Sequence, residues 1–306
     1  MDNLILNPNK ALKLILATAC MISAVCIPVK KVSAQSKNET KVTFQKDRFN
    51  RIFIPAKIDG DTVPILLGTY SKTLRLTPYF MQTRELYPSW NGLGLTDKRG
   101  RRQSRMIFYL PKMEIGTIKF RHEETVVNYA FPDSVATGAT GTLMVYQYNW
   151  RIDNDRNEVS ISKSPFTPAQ PFAAISYKND SYPTASVDIE GTKAPFAVDL
   201  GSGTTFQVSS GSALGQQLIS RYKLTPKNTL VSTIHGRKLV DTVYEVIVPS
   251  LALNGTALTN QKVILSSAAP HNSIGTGFLG NYNVIMNNSK KRKIESTLIL
   301  EKRLVN

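Results

Sequence analysis

Apolar and polar residues alternate in short runs along most of the chain. Residues 53–58, 63–67, 106–110, 185–189, 196–198 and 244–248 carry this pattern, and Gly, Asn, Asp and Pro punctuate the gaps. A period of two puts alternate side chains on one face of a pleated strand, and the punctuating residues favour tight turns, so the pattern predicts a mainly β protein. Helical periodicity is scarce. The clearest stretch is 212–222, which Ser210 or Ser212 can cap, and a weaker one covers 78–85.

The chain also repeats itself. Residues 58–71 align without gaps to residues 189–202 at an offset of 131, matching Gly60 with Gly191, Pro64 with Pro195 and Gly68 with Asp199. Residues 111–115 answer 249–253 at an offset of 138, and Gly141, Thr142, Tyr148 and Asn149 answer Gly275, Thr276, Tyr282 and Asn283 at an offset of 134. Three blocks in one order predict a duplicated lobe, the first over 45–162 and the second over 172–302. Residues 163–171 between them contain Pro165, Pro168 and Pro171, which remove backbone donors and stiffen the chain as a linker requires.

Within the second lobe, Phe196-Ala197-Val198-Asp199-Leu200-Gly201-Ser202 resembles the active-site signature of the pepsin and retropepsin family of aspartic peptidases. Phe278-Leu279-Gly280 resembles that family's second element, two apolar residues and a glycine packed beside the active-site loop. The resemblance spans both lobes. It implies an all-β fold of two duplicated barrel-like lobes, a cleft between them for an extended peptide, and one aspartate from each lobe at a pseudo-two-fold interface. Two carboxylates held close cannot both ionise cheaply, so one keeps a proton while the other activates water.

On this resemblance Asp199 is the catalytic aspartate of the second lobe, but its partner position in the first is Gly68, followed by Thr69 and Tyr70. Met144-Val145-Tyr146 stands where the second lobe has Phe278-Leu279-Gly280, and Tyr146 is expected to press on the Gly68 loop. Leu200 replaces the hydroxyl residue that the family uses to brace the two loops. Half of an acid–base pair retains little of its rate enhancement, which predicts a catalytically degenerate protein. Thr69, Gly201 and Ser202 are the candidates for bonding an extended backbone in the cleft. An active endopeptidase would require a second carboxylate for Asp199, and a structural envelope protein without a ligand is a third reading. Residues 95–110 and 231–248 place Gly100 and Gly236 between strand-like runs and correspond to the family's flaps, although Tyr109 and Tyr244 lie farther along the returning strands than a flap tyrosine would.

Residues 1–34 carry Lys10 and Lys13 before an apolar run and end in Val32-Ser33-Ala34, a pattern that predicts an export signal cut after Ala34. An uncleaved or lipid-linked anchor is the lesser alternative. Cys20 and Cys26, the only cysteines, fall inside this segment, so the expected mature chain has neither disulfides nor thiol chemistry. Removing Lys10, Lys13, Lys30, Lys31 and Asp2 lowers the net charge from +16 to +13, which favours an anionic envelope polymer or other polyanion through the basic surface. The densest runs, at 98–102 and 290–293, lack interleaved aromatics, so no specific nucleic-acid partner is expected. Gly275-Thr276-Gly277-Phe278-Leu279-Gly280 has the letters of a dinucleotide fingerprint, but no helix and acidic residue follow, and it reads as backbone fitting. His122, His235 and His271 are dispersed, expected in turns or at the surface, and no metal or other cofactor is expected. With both lobes on one chain, a monomer is expected.

Overall fold

A computed structural model describes residues 39–84, 86, 88, 93–96, 102–127, 136–177, 182–234, 237–289 and 295–304. The chain divides into residues 1–37, outside the described residues together with the expected export signal, and 38–306, to which everything below refers.

The first half contains β1 (Glu39–Thr43), β2 (Gln45–Lys46), β3 (Ile52–Ile58), β4 (Asp61–Leu66), β5 (Leu74–Leu76), α1 (Pro78–Thr83), β6 (Leu93–Thr96), β7 (Arg102–Arg105), β8 (Phe108–Ile115), β9 (Ile118–Val127), β10 (Gly138–Ala139), α2 (Thr142–Val145), β11 (Asn149–Asp153) and β12 (Glu158–Ser162). The second contains β13 (Pro171–Tyr177), β14 (Thr184–Ile189), β15 (Thr192–Asp199), β16 (Phe206–Ser209), α3 (Ala213–Arg221), β17 (Asn228–Ile234), β18 (Arg237–Leu253), β19 (Thr256–Ser266), β20 (Ser273–Gly275), α4 (Thr276–Leu279), β21 (Tyr282–Asn287) and β22 (Ser296–Lys302). The protein is all-β, with two closed, barrel-like sheets.

The two sheets have one wiring. In the first the order is β2-β3-β4-β10-β5-β9-β8, closed by β3 on β8; in the second it is β14-β15-β20-β16-β19-β18-β17, closed by β14 on β18. The short strands β10 and β20 run parallel to β4 and β15 and antiparallel to β5 and β16, which in turn run parallel to β9 and β19. Register repeats too. Leu66 faces Ala139 and Ala197 faces Ser273, which reproduces the sequence offsets of 131 and 134. Even the turns agree: Asp59 and Gly60 have φ of 50° and 95°, Glu190 and Gly191 of 51° and 89°. Two successive left-handed residues match the twist of a two-residue hairpin, and glycine takes the second position without steric cost. Beside Pro111, His122 has φ 54°, and beside Pro249, Asn260 has φ 53°.

A third sheet joins the halves, in the order β1-β12-β11-β21-β22-β13, with β11 and β21 paired antiparallel through Trp150 and Met286. This arrangement moves both expected lobe boundaries. β1 lies ahead of residue 45 because each half contributes three strands to the shared sheet, and Pro171 opens β13 instead of ending the linker. Residues 163–170 are pinned to that sheet by Phe166 N–H donating to Asn287 Oδ1 (2.9 Å) and Ala169 N–H donating to Glu301 Oε1 (2.5 Å). Trp150, Phe120, Phe196 and Phe206 are fully buried within one apolar core that runs through both halves.

Helices are short. Pro78 starts α1, where its fixed φ suits the first turn. α3 begins where Ser212 Oγ accepts from Gly215 N–H at 3.0 Å. β6 pairs with β7 and β17 with β18 as hairpins, while Gly100, Gly236 and His235 and the basic residues 98–101 and 290–293 lie outside the described residues. Among the described residues no helix is long and apolar enough to cross a membrane.

Candidate functional site

The loops that follow β4 and β15 meet between the lobes. β15 delivers Asp199 as its last residue, opposite Gly275 of β20, and the shared register makes Gly68 its counterpart after β4. The approach is close. A Cβ placed on Gly201 would lie 3.4 Å from Gly68 Cα and 3.2 Å from Asp199 Oδ1, whereas one placed on Gly68 would lie 3.5 Å from the Thr140 carbonyl oxygen and 4.0 Å from Gly201 Cα. A side chain at 201 would have to push Asp199 Oδ1 aside by a few tenths of an ångström, while Gly68 has room for one.

Thr69 is fully buried, and its hydroxyl spans the lobes. Oγ1 donates to the Val198 carbonyl at 2.7 Å and accepts from Leu200 N–H at 3.1 Å. The expected ligand-binding role of Thr69 is therefore corrected to that of a brace, because both of its bonds are internal. The brace is one-sided, since Leu200 is buried and carries no hydroxyl to answer it. Thr140 holds the Gly68 loop from below, accepting from Gly68 N–H at 2.8 Å and donating to Gly68 O at 2.9 Å.

Asp199 is half-buried as a residue, but its carboxyl is walled in, and that burial raises its pKa above the usual carboxylate range. Gly201 N–H donating to Oδ1 at 2.9 Å and the nearby Arg75 guanidinium act in the opposite direction. Among the described residues, no second carboxylate is one of the groups that set its ionisation. Oδ2 accepts no hydrogen bond from the described residues. Arg75 itself is held by Nε donating to Ser71 Oγ at 2.8 Å. Ser202 Oγ and Thr204 Oγ1 are 2.9 Å apart beside Asp199, and the Ser202 carbonyl accepts from Thr276 N–H at 2.7 Å, so α4 supports this loop from behind.

Tyr70, two residues beyond Gly68, reaches across to the second lobe. Its hydroxyl is 3.0 Å from His271 Nδ1, its ring stacks on His271 with centroids 4.4 Å apart, and Tyr182 tilts against it at 5.1 Å. Burial first, then the neighbouring Tyr182 and the Asp199 charge, raise the Tyr70 pKa. His271 is thus part of an interlobe ring cluster, not a bland turn histidine. Nothing in the sequence marks it, or Tyr182, Thr140 and Arg75, as neighbours of this loop.

Tyr146 packs on Tyr177 with centroids 5.8 Å apart, and the atom nearest a Cβ at Gly68 is the Thr140 carbonyl oxygen. The glycines of the false dinucleotide fingerprint do fit backbone: a Cβ on Gly275 would come within 2.5 Å of the Ser202 and Thr204 carbonyl oxygens. Among the described residues no three His, Cys, Asp or Glu side chains are grouped to hold a metal. Surface recesses of about 280 Å³ on the shared sheet, around Arg151 and Glu301, and about 350 Å³ along β14 and β15 are not lined by Asp199. A scan against protein-family models matches none of them, and no curated protein matches the chain.

Proposed function

We propose that this chain is an exported, pepsin-like two-lobed protein that holds an extended peptide or other polymer between its lobes and has lost paired-carboxylate catalysis. One observation carries the reading: Gly68 stands at the register position of Asp199, directly against Gly201, where an acid–base pair would need its second carboxylate. The repeated strand order supports the family reading, because the loops after β4 and β15 meet as the two halves of such a site would. Asp199 then binds instead of cleaving, since a single carboxylate lacks a neighbour to divide the roles of acid and base.

The test is cleavage of a denatured protein substrate at acid pH. The purified protein is expected to leave it uncut, with Asp199→Asn changing nothing. Robust cleavage that Asp199→Asn abolishes would overturn the reading and establish an active peptidase.

A further inference from the structure

We infer that the turn joining β2 to β3 is a binding surface for an acidic polysaccharide, with Arg48 and Lys46 holding its carboxylates and Phe49 carrying the apolar face of a sugar ring. The surface goes beyond the interlobe groove and uses none of its residues.

The turn is built to hold its tip still. Asp47 Oδ1 accepts from Phe49 N–H and Arg51 N–H, both at 2.9 Å, and Asn50 takes a left-handed φ of 61° to close the loop. Phe49 is anchored on the second lobe, where Thr276 Oγ1 donates to its carbonyl at 3.4 Å and a Cβ placed on Gly203 would lie 2.5 Å from Phe49 Cβ. On this frame cations and rings interleave. Arg48 Cζ lies 4.7 Å from the Phe49 centroid, Arg51 Cζ lies 5.5 Å from the same ring and 5.9 Å from that of Phe53, and Lys46 Nζ lies 5.6 Å from that of Phe44. The denser basic runs at 98–102 and 290–293 contain no aromatic residue.

Two cations here are already matched. Arg51 Nε donates to Asp47 Oδ2 at 2.7 Å, and Arg303, whose charge reaches Lys46, donates through Nε to Asp155 Oδ1 at 2.7 Å. Arg48 and Lys46 form no ion pair among the described residues. Burial first, then the Arg303 charge, lower the Lys46 pKa against the pull of Asp155, so Lys46 is short of counter-charge. The ring beside Arg48 limits the freedom of its guanidinium, which lowers the cost of presenting a flat fork of donors to a carboxylate. Phe49 is 48% exposed, whereas Phe44 and Phe53 are buried at 3% and 8%. One open ring suits one sugar, whose C–H groups meet the negative face of the π system. A single-stranded nucleic acid would stack successive bases on several rings. A membrane would need an apolar tip free to leave the protein, which the Gly203 and Thr276 contacts deny.

The experiment measures binding of the purified protein to labelled polygalacturonate fragments, neutral dextran and an oligothymidylate by fluorescence anisotropy, and to vesicles of equal parts phosphatidylcholine and phosphatidylglycerol by co-sedimentation. Polygalacturonate is expected to bind, and dextran is not. Arg48→Ala and Phe49→Ala should each weaken binding at least about fivefold, and so should Arg48→Lys, which keeps the charge but loses the flat fork. Phe49→Ala retains the Cβ and carbonyl that pack on the second lobe, so the fold is expected to hold. Lys46→Gln should weaken binding and reduce its dependence on salt. Lys193→Gln, which removes an exposed cation of β15, should leave affinity within about twofold of the parent. Equal losses at Arg48 and Lys193 would show that net charge alone attracts the polymer and would overturn the assignment. Tighter binding of the oligothymidylate or the vesicles than of polygalacturonate would overturn it in favour of that partner, and binding of none of the four probes would remove the surface.

Discussion

At the scale of single residues, Thr69 and Asp199 show opposite relations between stability and use. Thr69 satisfies two buried backbone groups at once, the Val198 carbonyl and the Leu200 N–H, and each would be stranded without it. Thr69→Val preserves shape and removes the hydroxyl, so it is expected to destabilise the protein by about 2 to 4 kcal/mol in chemical denaturation. A loss below about half a kcal/mol would show that the lobes are held elsewhere. Asp199 instead costs stability when ionised. Its folded pKa is raised, so the folded state binds more protons than the unfolded chain, and stability is fullest at low pH and lost as the pH climbs from the unfolded carboxylate value through the folded one. Asp199→Asn should accordingly raise the melting temperature near neutral pH, with the gain shrinking as the pH is lowered to about 4. Glu123 is a control for the same sign: burial raises its pKa against the bond from Gln147 Nε2 at 2.7 Å, and Glu123→Gln keeps an acceptor for that bond. It should stabilise the neutral-pH protein in the same way, without any effect on peptide binding.

At the scale of elements, the strands were legible because their burial alternates: β3 reads buried at Ile54, Ala56 and Ile58 and exposed at Pro55 and Lys57. The helix over 213–221 was legible through its serine, and Ser212 Oγ both accepts from Gly215 N–H and donates to the Ser209 carbonyl at 2.7 Å. Ser212→Ala is expected to cost about 1 kcal/mol and to speed amide exchange in the first turn of α3 before anywhere else. What alternation could not show is where a strand ends when its neighbours extend it. β15 continues from the apolar core of Phe196 to Val198 back to Thr192, because its hairpin with β14 pairs Ile189 with Thr192. Nor could it show β1, whose role depends on β12 lying beside it. The repeat fixes Tyr146 at the C-terminal cap of α2 but not the direction of its ring, which packs on the buried Tyr177 of β13.

At the scale of the whole molecule, the gapless repeat made the meeting of Gly68 and Asp199 legible, since equal offsets give equal places in equal sheets. The ring cluster was not legible. Tyr70 falls in the repeated block 58–71, but His271, 201 residues away, falls in none, so only the closure of the two lobes brings them together. That cluster decides what restoring the missing carboxylate would do. A Cβ at 68 meets only ordinary contacts, so Gly68→Asp should fold and set a second carboxylate near Asp199. Two like charges there raise one of the pair's pKa values, and the variant should lose stability relative to the parent as the pH rises from about 4 to 7. Cleavage is a harder demand, because the Tyr70 ring is stacked against His271 and Tyr182 across the two lobes beside the Gly68 loop, and small displacements of reacting groups cost on the order of a hundredfold in rate. Gly68→Asp alone is therefore expected to stay nearly inactive at acid pH, while Gly68→Asp with Tyr70→Gly gains cleavage that Asp199→Asn removes. Full activity from Gly68→Asp alone would show that the rings part freely.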